Sequence, residues 1–159
     1  MKNVIQITAF FSLLLFATQA FAQARVLVDT DSDRVAIDGY DPVAFFEKGR
    51  PLKGFNQHQV IYKGAVYRFR SEENRVAFQE EPEKYEPQYG GFCAVSLSED
   101  TLASGDPQKF RIIDNKLYLV HDTAAAKRLD RESVQKADRN WDKVLDEYGS
   151  HYEAAGITP

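Results

Sequence analysis

The residue with most chemistry open to it is Cys93, the only cysteine in the 159-residue chain; it follows Gly90-Gly91 and precedes Ala94. One thiol cannot close an internal disulfide, so it is either small apolar filling or a thiolate acting as nucleophile, redox group or soft-metal ligand. A helix starting near Gly91 would place Cys93 in its first turn, where the helix dipole lowers a thiol pKa. Gly90-Gly91 lets the backbone turn tightly and expose that start. The expectation is a low-pKa, at least partly accessible thiol, opposed by burial beside Phe92. Among the histidines, His121 ends a predicted strand and can approach Cys93, and the two could form a weak, transient soft-metal site for Cu or Zn. His58 begins another strand, and His151 lies in the C-terminal tail. No HxxxH, HxH or CxxC spacing occurs, so a complete structural metal site is not expected.

Two other groups invite weaker readings. Glu72, Glu73, Glu80, Glu81, Glu83 and Glu86 crowd one stretch, but paired-carboxylate catalysis needs two of them converging in a cleft. Acids at a helix start and on a solvated face explain them more simply. The aromatic run Tyr62, Tyr67, Phe69, Phe78, Tyr85, Tyr89 and Phe92 reads as core, with a tyrosine beside Cys93 available as a proton donor.

The elements that must position these residues follow from pattern. The composition is 43% hydrophobic and 13% aromatic with a net charge of -4, which suits one folded domain. Charges of both signs are mixed with no basic stripe, so nucleic acid is not an expected partner. Lys2, the apolar stretch Val4 to Phe16 and the A-x-A site Ala20-Phe21-Ala22 read as a secretory signal peptide over 1–22; Ala22-Gln23-Ala24 allows a second cut. The chain is therefore expected to be exported, with a periplasmic location, and not to span the membrane once cleaved. Residues 23–37 form a lead-in, 38–148 the domain and 149–159 a frayed tail. Asp41-Pro42 starts a short helix. Gln59 to Lys63 and Ala65 to Arg70 form one β-hairpin, and Lys109 to Ile113 with Lys116 to His121 a second. Ser71 caps a helix over Glu72 to Glu80 with Val76, Ala77 and Phe78 on its apolar side. From Thr123 the helical period gives one long amphipathic helix, or two with a break near Ser133. No internal repeat is visible. The fold class is α+β: a single small domain of two β-hairpins packed with short helices and a long C-terminal amphipathic helix.

Three segments together resemble the YHS domain family, in its exported YHS-domain (seleno)protein branch. They are Gly39-Tyr40-Asp41-Pro42-Val43-Ala44-Phe45-Phe46, then Tyr67 to Asn74 with Phe78, Pro82, Lys84 and Tyr85, and then Gln88-Tyr89-Gly90-Gly91-Phe92-Cys93-Ala94. The resemblance runs from about Asp38 to Leu145. It implies an association with metal binding through thiolates after Asp-Pro-Val and at the strand-to-helix junction. Those positions here are Ala44, Arg70 and Asn74, so the usual ligand set cannot be carried over. It also implies chemistry at Cys93, where some exported members carry selenocysteine.

Three functions are compatible with these residues. The leading one is an exported binding or redox-accessory module working through Cys93. The second is a thiol-dependent peroxidase or reductase with Cys93 as nucleophile and an external resolving thiol. The third is a weak Cu/Zn binder using Cys93 and His121. A thiol partner, or a disulfide-linked dimer through Cys93, belongs with the first two. Intact mass of protein from the exported fraction should show the first 22 or 24 residues removed; Met1 retained there would exclude cleavage.

Overall fold

A computed structural model describes residues 25–151; the expected signal segment, with Ala20 and Ala22, lies outside the described residues. The chain begins with β1 (Arg25–Val26), which pairs antiparallel with β6 (Ser150–His151). The start of the tail is thus tied down as a strand, in contrast to the fraying expected after Gly149, because the extended lead-in offers it backbone partners.

A helix-and-hairpin unit follows. Helix α1 (Pro42–Glu47) leads to β2 (Phe55–Tyr62) and β3 (Ala65–Phe69), an antiparallel hairpin whose two turn residues both have positive φ, Lys63 at 48° and Gly64 at 75°. That is the I′ geometry that matches strand twist. Ala65, Tyr67 and Phe69 alternate inward as their period requires. Ser71 then caps α2 (Glu72–Glu80) through its hydroxyl, which accepts from Asn74 N–H. Phe78 is buried against Tyr67 at a ring separation of 5.0 Å, whereas Val76 is exposed, so the apolar side of α2 is narrower than its sequence suggests.

The first unit is knotted by Asp41. Its carboxylate is fully buried and accepts from Val43 N–H (2.9 Å), Ala44 N–H (3.3 Å), Arg70 N–H (2.7 Å) and the Asn74 side-chain amide (2.6 Å). One carboxylate thereby caps α1, closes β3 and holds the first turn of α2. All four neighbours are donors, so the group they surround is an anion.

After α3 (Pro82–Tyr85) the same design recurs, although the sequence shows no repeat. Helix α4 (Ala94–Ser98), strands β4 (Asp106–Ile113) and β5 (Lys116–Val120) and helix α5 (Thr123–Arg128) follow the order of α1, β2, β3 and α2, displaced by 51 or 52 residues. The second hairpin also turns on two positive-φ residues, Asp114 and Asn115, and its register breaks between Asp106 and Phe110 as the first breaks between Phe55 and Gln59. Ile37, Asp38 and Gly39 take positive φ in succession before α1, as Tyr89, Gly90 and Gly91 do before α4. The bridges correspond too: Tyr40 to Lys53 matches Phe92 to Ser104, and Val35 to Val66 matches Pro87 to Leu117. A Cβ on Gly54 would lie 2.4 Å from the Arg68 backbone, and one on Gly105 2.4 Å from the Gly91 carbonyl oxygen. Identity between the halves is confined to scattered positions such as Gly39 and Gly91, Gly54 and Gly105, and Tyr67 and Tyr118.

The halves share packing. Leu117 and Leu119 of the second hairpin enter the core of the first unit, and Phe45 meets Phe110 edge-on at 4.9 Å. Helix α6 (Arg131–Tyr148) covers the second core, where Ala137 is buried and Val134, Trp141 and Val144 pack from its edge. The helical break falls at Leu129–Asp130 rather than near Ser133, because Asp130 caps α6 through Ser133 N–H. Among the described residues no helix is long and apolar enough to cross a membrane.

Removing the Asp41 carboxylate leaves buried donors without an acceptor. Asp41→Ala should cost about 3 kcal/mol or more, and Asn74→Ala about 1.5–3 kcal/mol, in urea unfolding. A loss below about 1 kcal/mol for Asp41→Ala would show that the knot carries little of the stability.

Candidate functional site

Cys93 stands at the start of α4, where its backbone N–H donates to the Ala103 carbonyl at 2.8 Å. It is the N-cap residue rather than a first-turn residue, because the chain is still extended there and the helix begins at Ala94. Its Sγ accepts from Ser96 N–H at 3.4 Å, the capping role that oxygen usually fills. A parallel bridge between Cys93 and Leu119 lays the cap beside the end of β5, and the next turn of chain delivers His121.

There the imidazole Nδ1 lies 3.1 Å from Cys93 Sγ and 3.4 Å from Ser96 Oγ. On the ring's other side Nε2 lies 3.1 Å from Asp122 Oδ2. Asp122 Oδ1 accepts from Ala125 N–H at 2.7 Å and so caps α5. One carboxylate therefore starts a helix and orients the imidazole, giving a Cys93–His121–Asp122 chain. The approach of His121 to Cys93 agrees with the sequence reading. Ser96 and Asp122 were not singled out there, although Ser at the third residue after Cys93 and Asp directly after His121 were visible signals.

Exposure does not match expectation. Cys93 is 0% exposed, in contrast to the accessible thiol anticipated, while the His121 side chain is 42% exposed. Cys93 belongs to the second core, with Ala94, Val95 and Val120. His121 forms the outer side of the site.

The electrostatics favour separated charge. Burial pushes the Cys93 thiol up, but the side chains of Ser96 and His121, followed by their backbone amides, outweigh it and hold the pKa below its ordinary value. His121 is raised, first by its hydrogen bond to Cys93; burial opposes this as the next largest effect, the charges of Cys93 and Asp122 add to the rise, and the repulsion of Arg128 opposes it least. The Cys93 contribution to stability is thus complete above the ordinary thiol range and lost as pH falls through its lowered folded value. That of His121 is complete below about 6.5 and lost as pH rises through its raised folded value.

The remaining candidates lie elsewhere. His58 Nδ1 is 3.3 Å from Glu72 Oε2 at the start of α2, and His151 falls in β6. Glu86 departs from a solvated face: it is half-buried and takes Lys63 Nζ on both oxygens at 2.8 and 2.9 Å, beside a cavity of about 210 Å³. The Tyr89 hydroxyl donates to Asp138 Oδ1 at 2.8 Å, so it braces α6 rather than serving Cys93. Tyr67, Phe69, Phe78 and Tyr85 are buried core, as their pattern implies.

The residues do not fit a resident metal. Cys93 and His121 supply two donors, and Asp122 lies on the far nitrogen of the ring. No group of three His, Cys, Asp or Glu side chains is placed to hold an ion among the described residues. Ala44, Arg70 and Asn74 surround the Asp41 carboxylate and present N–H groups to it, which is a seat for an anion and not for a cation.

Residues 43–89 match the family model of the YHS domain, a stretch that covers most of the first unit and stops short of Cys93. No curated protein and no solved structure matches the chain.

Since the chain has one thiol, the difference in 240 nm absorbance between wild type and Cys93→Ser reports its ionisation. The thiolate should appear below the ordinary value of about 8.5, and His121→Ala should move its appearance upward. An unchanged titration in His121→Ala would remove the imidazole from any role in setting the thiol.

Proposed function

We propose that this protein is a small thiol-based redox-accessory module in which Cys93 is reversibly oxidised by a small hydroperoxide and returned by an external thiol. The observation that carries this reading is the 3.1 Å contact between Cys93 Sγ and His121 Nδ1, with Asp122 behind the ring. An imidazole held in this way keeps a thiolate supplied with a nearby proton.

The reaction balances with these groups. The thiolate attacks one peroxide oxygen, an S–O bond forms and the O–O bond breaks. Sulfur is oxidised to the sulfenic acid and the peroxide is reduced to hydroxide, or to an alkoxide for an organic peroxide. That leaving group takes the His121 proton and departs as water or alcohol. An incoming thiol then attacks the sulfenic sulfur and displaces water, and a second thiol releases Cys93 from the mixed disulfide. The chain holds no second cysteine, so both reductant thiols come from outside. A sulfur with no exposed surface favours a small oxidant over a protein disulfide as the first partner, and larger thiols need His121 to swing outward. The pattern over Lys2 to Ala24 supports export, and a periplasmic setting would supply both oxidants and thiol partners.

Native protein treated with hydrogen peroxide in the presence of dimedone should gain one adduct on Cys93 by mass spectrometry. Cys93→Ser should gain none, and His121→Ala should react at least several-fold more slowly. Adduct formation only after unfolding would make Cys93 structural and overturn the reading.

A further inference from the structure

Several hydrogen bonds around Asp41 recur at equivalent positions around Cys93, and this assigns a role to the place where Cys93 stands. In the first half Asp41 N–H donates to the Leu52 carbonyl at 2.8 Å; in the second, Cys93 N–H donates to the Ala103 carbonyl at 2.8 Å. Gly54 N–H reaches the Gly39 carbonyl, and Gly105 N–H the Gly91 carbonyl. Cys93 is therefore the counterpart of Asp41, Ser96 of Ala44, His121 of Arg70 and Ala125 of Asn74.

The donors correspond as well. Ala44 N–H serves Asp41 and Ser96 N–H serves Cys93 Sγ. Arg70 N–H serves Asp41, and His121 adds its ring to Cys93 from the matching position. Two donors of the first seat are not matched at the second: Val43 N–H, whose counterpart is Val95, and the Asn74 amide, because Ala125 carries none. The first seat is closed by four N–H groups around a carboxylate, while in the second the sulfur meets one backbone N–H, from Ser96, and the His121 ring, which reaches it from half-exposed surface.

We infer that the chain is an internal duplication of one helix–hairpin–helix unit whose central seat is built for an anion. The first copy fills its seat with a permanent structural carboxylate, and the second presents the Cys93 thiolate in the equivalent seat as the working group. This deepens the redox reading by naming the resting state of its sulfur, and it separates a scaffold half from a working half. The groups facing the second seat are His121 from the end of β5, Ser96 from α4, and Asp122 and Arg128, which act through His121 from α5. Arg128 is itself engaged by Glu99.

The test replaces the sulfur by a permanent anion. In Cys93→Asp, the His121 ring followed by NMR should titrate above its ordinary value, as in the wild type, whereas in Cys93→Ala and Cys93→Asn it should return toward about 6.5. Cys93→Asp should be at least as resistant to urea at pH 7 as Cys93→Ala. Two results would overturn the inference: a Cys93→Asp chain that fails to fold where Cys93→Ala folds, or a wild-type His121 that titrates as it does in Cys93→Ala. The dimedone experiment reads a different property. A thiolate seat without sulfenic acid formation would sink the redox reading alone, and a neutral thiol with peroxide reactivity would sink the anion-seat assignment alone.

Discussion

A carboxylate taken wholly out of water must be met by donors on every side, and that requirement shapes the first half of this protein. Asp41 is met by two amides of α1, one at the end of β3 and the side chain of Asn74 in α2. The cost of desolvating the charge is offset only if all four come together, so three elements distant in sequence are fixed by one group. The arrangement also makes the helix start, the strand end and the next helix start converge on a point. That convergence is the geometric property the second half inherits.

At the second point of convergence the group is a thiol. Sulfur accepts hydrogen bonds weakly and can lose its proton, so an amide and an imidazole at the equivalent place can alter an ionisation. Fewer amide donors and an imidazole at His121 distinguish this point from the closed knot around Asp41. Asp122 serves two ends at once: it caps α5 and fixes the ring. The stability of α5 and the orientation of the imidazole therefore depend on the same side chain.

Burial decides which chemistry that site can support. Cys93 is buried in the second core with Val95 and Val120, a core to which α6 contributes Ala137 and, from its edge, Trp141. Asn140 donates to the Leu97 carbonyl at 2.9 Å and so ties α6 to the end of α4. The half-exposed imidazole of His121 forms the solvent side of the site.

The elements themselves were legible in the sequence because local chemistry specifies them. Ser71 before Glu72-Glu73, Asp41 before Pro42 and the alternation of Ala65, Tyr67 and Phe69 state a cap, a helix start and a strand face without reference to the rest of the chain. The two hairpins also followed, and the position of His121 at a strand end left its approach to Cys93 open, which the fold then realises. Three things were decided only in three dimensions. The duplication is carried by backbone angles and hydrogen-bond partners that very different side chains can satisfy, such as Ile37 and Tyr89, or Arg70 and His121. The burial of Cys93 depends on α6, which packs from more than forty residues away. The role of Asp41 as a buried anion needs Arg70 and Asn74, whose donors reach it only once β3 turns into α2. Each is a long-range coincidence of donors, acceptors and excluded water, and no local pattern encodes such a coincidence.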